Sequence, residues 1–74
     1  MKELRQVRVS EGGSIEIPVV VGGRLLYHYT IDPVDIRKDM RQMWLNQLEV
    51  KRWFTPRLRS EFIAVYNKAL NNEK

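Results

Sequence analysis

The chain has 74 residues, no cysteine, one histidine, and 13 Lys/Arg against 9 Asp/Glu, a formal net charge of +4. That length allows one small domain near the lower limit for independent folding, and the composition excludes disulfide frameworks, thiolate metal cages and, with a single imidazole, the usual zinc sites. The longest apolar run, Ile17 to Val21, is interrupted by Pro18 and too short to cross a bilayer, and no apolar signal segment opens the chain. A cytoplasmic protein without membrane, metal or cofactor is therefore expected.

Period-two alternation predicts three strands, at about 4–10, 14–21 and 24–31, with Val7 and Val9, then Ile15, Ile17, Val19 and Val21, then Leu25, Tyr27, Tyr29 and Ile31 as their apolar sets. A Gly-Gly pair separates each from the next. Two-residue turns at Gly12-Gly13 and Gly22-Gly23 would set Val9 opposite Glu16 and Val19 opposite Leu26, dividing the odd positions between two faces. Three-residue loops, Glu11-Gly12-Gly13 and Val21-Gly22-Gly23, with the second glycine left-handed, pair Val9 with Ile15 and Val19 with Leu25 instead, so that every odd position faces one way. An antiparallel meander in the order 1-2-3 is predicted. Pro18, which lacks a ladder N–H, requires a bulge or an edge in the second strand.

Two helices follow, each opened by a cap residue and a proline: Asp32-Pro33, with Asp35 favourably placed for the helix dipole, and Thr55-Pro56. The first, about 33–51, sets Ile36, Met40, Met43, Trp44 and Leu48 on one face. The second, about 56–71, sets Leu58, Phe62, Val65, Tyr66 and Ala69 together, opposite Arg57, Ser60, Glu61, Ala64, Asn67 and Lys68. Residues 72–74 read as a frayed tail. A sheet with one apolar face and two amphipathic helices make an α+β fold in two layers, βββαα. The order of three strands then helix resembles the N-terminal DNA-binding domains of some tyrosine recombinases, in predicted topology and with no shared motif; such a likeness leaves function open.

The charge is uneven. Residues 1–33 carry four cations and four acids, whereas residues 34–74 carry nine Lys/Arg and five Asp/Glu. Lys51, Arg52, Trp53, Phe54, Arg57 and Arg59 combine cations that neutralise phosphates with rings that stack on bases, at the start of a helix. On the first helix Lys38, Arg41, Leu45 and Arg52 share a sector, flanked by Arg37 and Trp44, and extend this segment into one basic strip. The competing reading makes Trp53 and Phe54 core plugs and leaves the cations solvated or paired with Glu49 and Glu61.

On the even-numbered sheet face, the predicted register runs Arg8, Glu16 and His28 across the strands as a polar row, beside an apolar spot of Leu4, Val20 and Leu26. Such a spot and a free third-strand edge suit a second copy or another protein. General acid–base work would need His28 within reach of a second functional group in a cleft, for which a two-layer domain of this size has little room, so it reads as a surface strand residue; no nucleotide-binding, metal or nucleophile motif is present. The sequence thus leads to a non-enzymatic protein that associates with nucleic acid through Arg37, Lys38, Arg41, Lys51, Arg52, Trp53, Arg57 and Arg59. The alternative is a protein-interaction module, an accessory, inhibitor or adaptor of phage or mobile-element type, acting as a homodimer through Leu4, Val20 and Leu26 or docked on a larger partner.

Overall fold

The first glycine pair closes the three-residue loop that parity demands. In the computed structural model, which describes residues 6–71, β1 (Arg8–Val9) pairs with β2 (Ile15–Val21) antiparallel, with Arg8 opposite Glu16 and Val9 opposite Ile15. Ser10 N–H donates to Ser14 O at 2.7 Å, Gly13 N–H returns to Ser10 O, and Gly13 sits at φ +91°. The expected beginning of the first strand, Leu4 and the tail at 72–74 lie outside the described residues.

The second hairpin reaches the same parity by another route. Gly22 and Gly23 form a two-residue turn with φ +60° and +79°, placing Val21 opposite Arg24 and Val20 opposite Leu25 of β3 (Arg24–Ile31). Such a register alone would turn the odd residues of β3 away from those of β2. A shift between Val19 and Val20 corrects it: Val19 pairs with Tyr27, leaving Leu26 as the extra residue of a bulge, and Ile17 then meets Tyr29 and Ile15 meets Ile31. The expected three-residue loop and the Val19 to Leu25 pairing are therefore replaced by a tight turn plus a bulge. Beyond it Leu25 shares the even face with Val20. Glu16 faces Thr30, and His28 faces Pro18, so the expected Glu16 to His28 pairing is not formed. The sheet order is β1-β2-β3, and β1 pairs with β2 only at Arg8 and Val9. Among the described residues β2 thus has no neighbouring strand beside Pro18 on that flank, which is where a residue without an N–H is tolerated.

The two cap-and-proline signals diverge. At the second, Thr55 Oγ1 accepts the Leu58 N–H at 3.3 Å and α2 runs over Pro56–Asn71, as its spacing predicts. At the first, Asp32 makes no side-chain cap, and the expected helix from 33 to 51 is replaced by two 3-10 turns, Pro33–Asp35 and Lys38–Met40, followed by α1 (Arg41–Glu49). Between them Ile36, at φ −91° and ψ 85°, closes the first turn, and Arg37 is extended, at φ −125° and ψ 152°. Long-range bonds hold this break open. The Tyr66 hydroxyl donates to Arg37 O at 2.6 Å and accepts from Arg37 N–H at 2.9 Å, while Trp44 Nε1–H donates to Asp35 O at 3.2 Å. Three backbone groups that a helix would have paired internally are taken by side chains of α1 and α2, and Ile36 is freed to enter the core.

That core joins Val7, Ile15, Ile17 and Ile31 of the sheet side to Ile36, Leu45, Leu48, Phe54, Leu58, Phe62 and Tyr66. Each such side chain contributes about 1.5–3 kcal/mol when fully buried. Leu45, expected in the basic sector, is buried, because a helix starting at Arg41 turns 41, 44, 45 and 48 toward its neighbours. α2 packs on β1 and β2 and against α1. Glu61 fastens it, accepting Val7 N–H at 3.0 Å through Oε1 and meeting Arg57 Nη1 at 3.1 Å through Oε2. No helix among the described residues is long and apolar enough to cross a membrane.

Burial pushes the Tyr66 phenol above the ordinary tyrosine range, against the opposing bond to the Arg37 backbone and the nearby Arg41 charge. A raised folded-state value means stability is complete below the unfolded tyrosine titration and is lost as pH rises through the folded one. Tyr66→Phe should cost about 1–3 kcal/mol in urea unfolding at neutral pH and remove this alkaline decline. In the second turn, where a side chain at Gly22 would meet nothing within 4 Å, only backbone strain is at stake. Gly22→Val should destabilise by about 1–2 kcal/mol, and Gly22→Asn by a few tenths, in the same assay.

Candidate functional site

The basic residues do not form one strip, because the segment that was to align them is not one helix. Lys38 lies in the second 3-10 turn and Arg41 at the start of α1; together with Asn67, Leu70 and Asn71 they line a recess. Arg41 Nη1 donates to Asn67 Oδ1, tying α1 to α2. Lys51 and Arg52 stand past the other end of α1, roughly 14 Å away along a nine-residue helix. Two cationic groups result, one at each end.

Carboxylates occupy several of the expected phosphate contacts. Arg59 Nε meets Glu49 Oε2 at 2.8 Å, Arg57 meets Glu61 at 3.1 Å, and Arg37 Nε meets Asp39 Oδ1 at 3.3 Å. The pairs are exposed or half-exposed, so each contributes little to stability, but each lowers the field available to a polyanion. Lys38, Lys51 and Arg52 have no carboxylate partner among the described residues.

The rings beside the second group serve the interior. Phe54 is buried and Trp53 half-buried, within a ladder whose centroid distances are 6.0 Å for Tyr29 to Trp53, 6.1 Å for Trp53 to Phe54, 6.1 Å for Phe54 to Phe62 and 5.4 Å for Phe62 to Tyr66. Edge-to-face and tilted contacts at this spacing are those favoured by aromatic quadrupoles. Trp53 keeps part of its surface exposed.

The sheet presents a different surface. Its inner end, Ile15 and Ile17 with Tyr29 and Ile31, lies under the helices, whereas the outer end of the β2–β3 hairpin stands beyond them. There Leu26 and Tyr27 are each 55% exposed and Val21 51%. Val20 and Leu25 are half-buried on the even face. Of the expected interface residues, Leu26 is thus open to solvent, Val20 partly so, and Leu4 is outside the described residues. Tyr27 and Val21 were missed because their parity assigns them to the core; how far the helices reach along the strands is not written in the alternation. Among the described residues the outer flank of β3 carries no neighbouring strand.

A groove opens at the opposite end of the molecule, between the β1–β2 loop, the Pro33–Asp35 turn and the last turns of α2, and is lined by Arg8, Val9, Gly13, Pro33, Ile36, Val65, Lys68 and Ala69. Among the described residues no cluster of His, Asp or Glu has the arrangement of a metal site, and no buried side-chain polar atom lacks a hydrogen-bond partner. The polar row on the sheet is closed on itself, Arg8 Nε meeting Glu16 Oε1 at 2.9 Å. No protein-family model, curated protein sequence or solved structure matches the chain.

Proposed function

We propose that this chain is a non-enzymatic protein-interaction module whose first partner is a second copy of itself, joined through the outer β2–β3 hairpin and the free edge of β3. The observation that carries the reading is the exposure of Val21, Leu26 and Tyr27 together at the outer end of the β2–β3 hairpin. Among the described residues the outer edge of β3 faces no neighbouring strand; such an edge can accept another strand, and a two-fold pairing serves both copies at once. Charge permits it. β3 carries one formal cation, Arg24 at its first position, so antiparallel copies hold their two Arg24 side chains roughly 23 Å apart. A core limited by a 74-residue chain gains from such added burial.

A second reading rests on Lys38, Lys51 and Arg52, which have no carboxylate partner among the described residues, and on Arg41, whose partner Asn67 is neutral. These cations, with the half-buried Trp53, are the ones that would contact nucleic-acid phosphates and a base. Arg37, Arg57 and Arg59 would first have to give up their carboxylates, which ranks this reading below the first.

The two readings separate cleanly. Sedimentation equilibrium of the full chain should return twice the 8.8 kDa chain mass, and Leu26→Asp with Tyr27→Ser should return a single chain mass with an unchanged circular dichroism spectrum; a wild-type monomer at high micromolar concentration overturns the first reading. For the second, affinity for a single-stranded oligonucleotide should fall with salt at a log-log slope near −3 for about four phosphates, and Lys51→Ala with Arg52→Ala should reduce that slope by about 1.4. A salt-independent or undetectable interaction removes it.

A further inference from the structure

Val9 is a core-facing residue left partly open to solvent. It pairs with Ile15, which is completely buried on the face that the helices cover, and cross-strand partners share a face, yet Val9 is 43% exposed. The space above it is the groove at the end of the molecule, with a volume of about 560 Å³. Its boundaries follow from features already established. Val65 and Ala69, one helical turn apart on α2, form one wall, and the small Ala69 side chain leaves room that a larger residue would fill. Ile36, fixed by the extended break beside Tyr66, lies at its base. On the other side, Gly13 approaches Pro33 so closely that a β-carbon would stand 3.4 Å from Pro33 Cγ.

The charged residues of this lining are all of one sign. Arg8 and Lys68 stand beside the apolar wall, and no acid lines it. Arg8 is held by Glu16, while Lys68, on the same α2 stripe as Val65 and Ala69, has no carboxylate partner among the described residues. Ligand pockets of about 300–1,000 Å³ typically combine such an apolar body with a few polar anchors. A volume of this size fits a small molecule and is too short for a docked helix.

We infer that this groove binds a small amphiphilic carboxylate, its apolar body against Val9, Ile36, Val65 and Ala69 and its anionic head at Lys68, with Arg8 beside it. The inference is independent of the hairpin interface, which lies at the opposite end of the sheet. Dodecanoate below its micellar concentration serves as the probe, with dodecyltrimethylammonium as the cationic counterpart, followed by methyl and amide NMR shifts on the full chain. Dodecanoate should saturate at one per chain, with shifts confined to Val9, Ile36, Val65 and Ala69, and the cationic probe should bind at least about tenfold more weakly. Lys68→Glu, at an exposed position, should weaken dodecanoate by about tenfold without altering the fold, and Ala69→Phe should fill the groove and abolish the shifts. Equal binding of both probes, shifts centred on Leu26 and Tyr27, or an undiminished response in Lys68→Glu would each overturn the assignment.

Discussion

One constraint organises this domain: the strands must show their odd-numbered apolar residues to a single layer of helices, and a register error of one residue would reverse every one of them. Both hairpins obey it by different means. The first uses a loop of the right length, with Gly13 in the left-handed region. The second uses the tight Gly22-Gly23 turn, whose twist suits a hairpin but whose register does not, and then spends Leu26 on a bulge that restores Val19 to Tyr27, Ile17 to Tyr29 and Ile15 to Ile31. Parity is preserved only as far out as the bulge. Past it, alternation no longer tells inside from outside: Val20 and Leu25 are half-buried there, while Val21, like Leu26 and Tyr27 at the bulge, is exposed.

The helical half is shaped by a competing demand, the pairing of backbone groups in a segment that leaves the sheet. Residues 33–40 satisfy part of theirs from a distance, through Tyr66 on Arg37 and Trp44 on Asp35, rather than by continuing a helix. This arrangement allows Ile36 to be buried and begins α1 at Arg41, which in turn brings Leu45 inward and divides the cations between two ends. One phenol hydroxyl thus links the shape of the core to the distribution of charge outside it.

What could be read from the residues was whatever depends on near neighbours. The strand alternation, the odd-to-odd parity, the capped second helix and its Leu58, Phe62 and Tyr66 stripe all follow from spacing. The broken first helix did not, because Asp32-Pro33 and Thr55-Pro56 are the same local signal, and bonds from beyond the segment, from Trp44 to Asp35 and from Tyr66, 29 residues beyond Arg37, distinguish them. The cations had the same difficulty: Arg59 with Glu49 and Arg57 with Glu61 were foreseeable as pairs, but whether they or phosphates would hold those guanidinium groups was decided by how α1 and α2 meet. Val9 and Tyr27 carry core-facing parity and are exposed, since the extent of the helical cover is a tertiary quantity.

Surface chemistry therefore shifts weight from the helices to the sheet. Ion pairs and core packing absorb Arg37, Arg57, Arg59 and Phe54, whereas the outer hairpin leaves Val21, Leu26 and Tyr27 exposed beside a β3 edge that has no neighbouring strand among the described residues. The most direct measurement of this account is residue-resolved amide hydrogen exchange at two widely separated protein concentrations. Amides of β3 that point away from β2 should gain protection as concentration rises, while the Arg37 amide, bonded within one chain, should not change. Exchange along β3 that is fast and identical at both concentrations would contradict it.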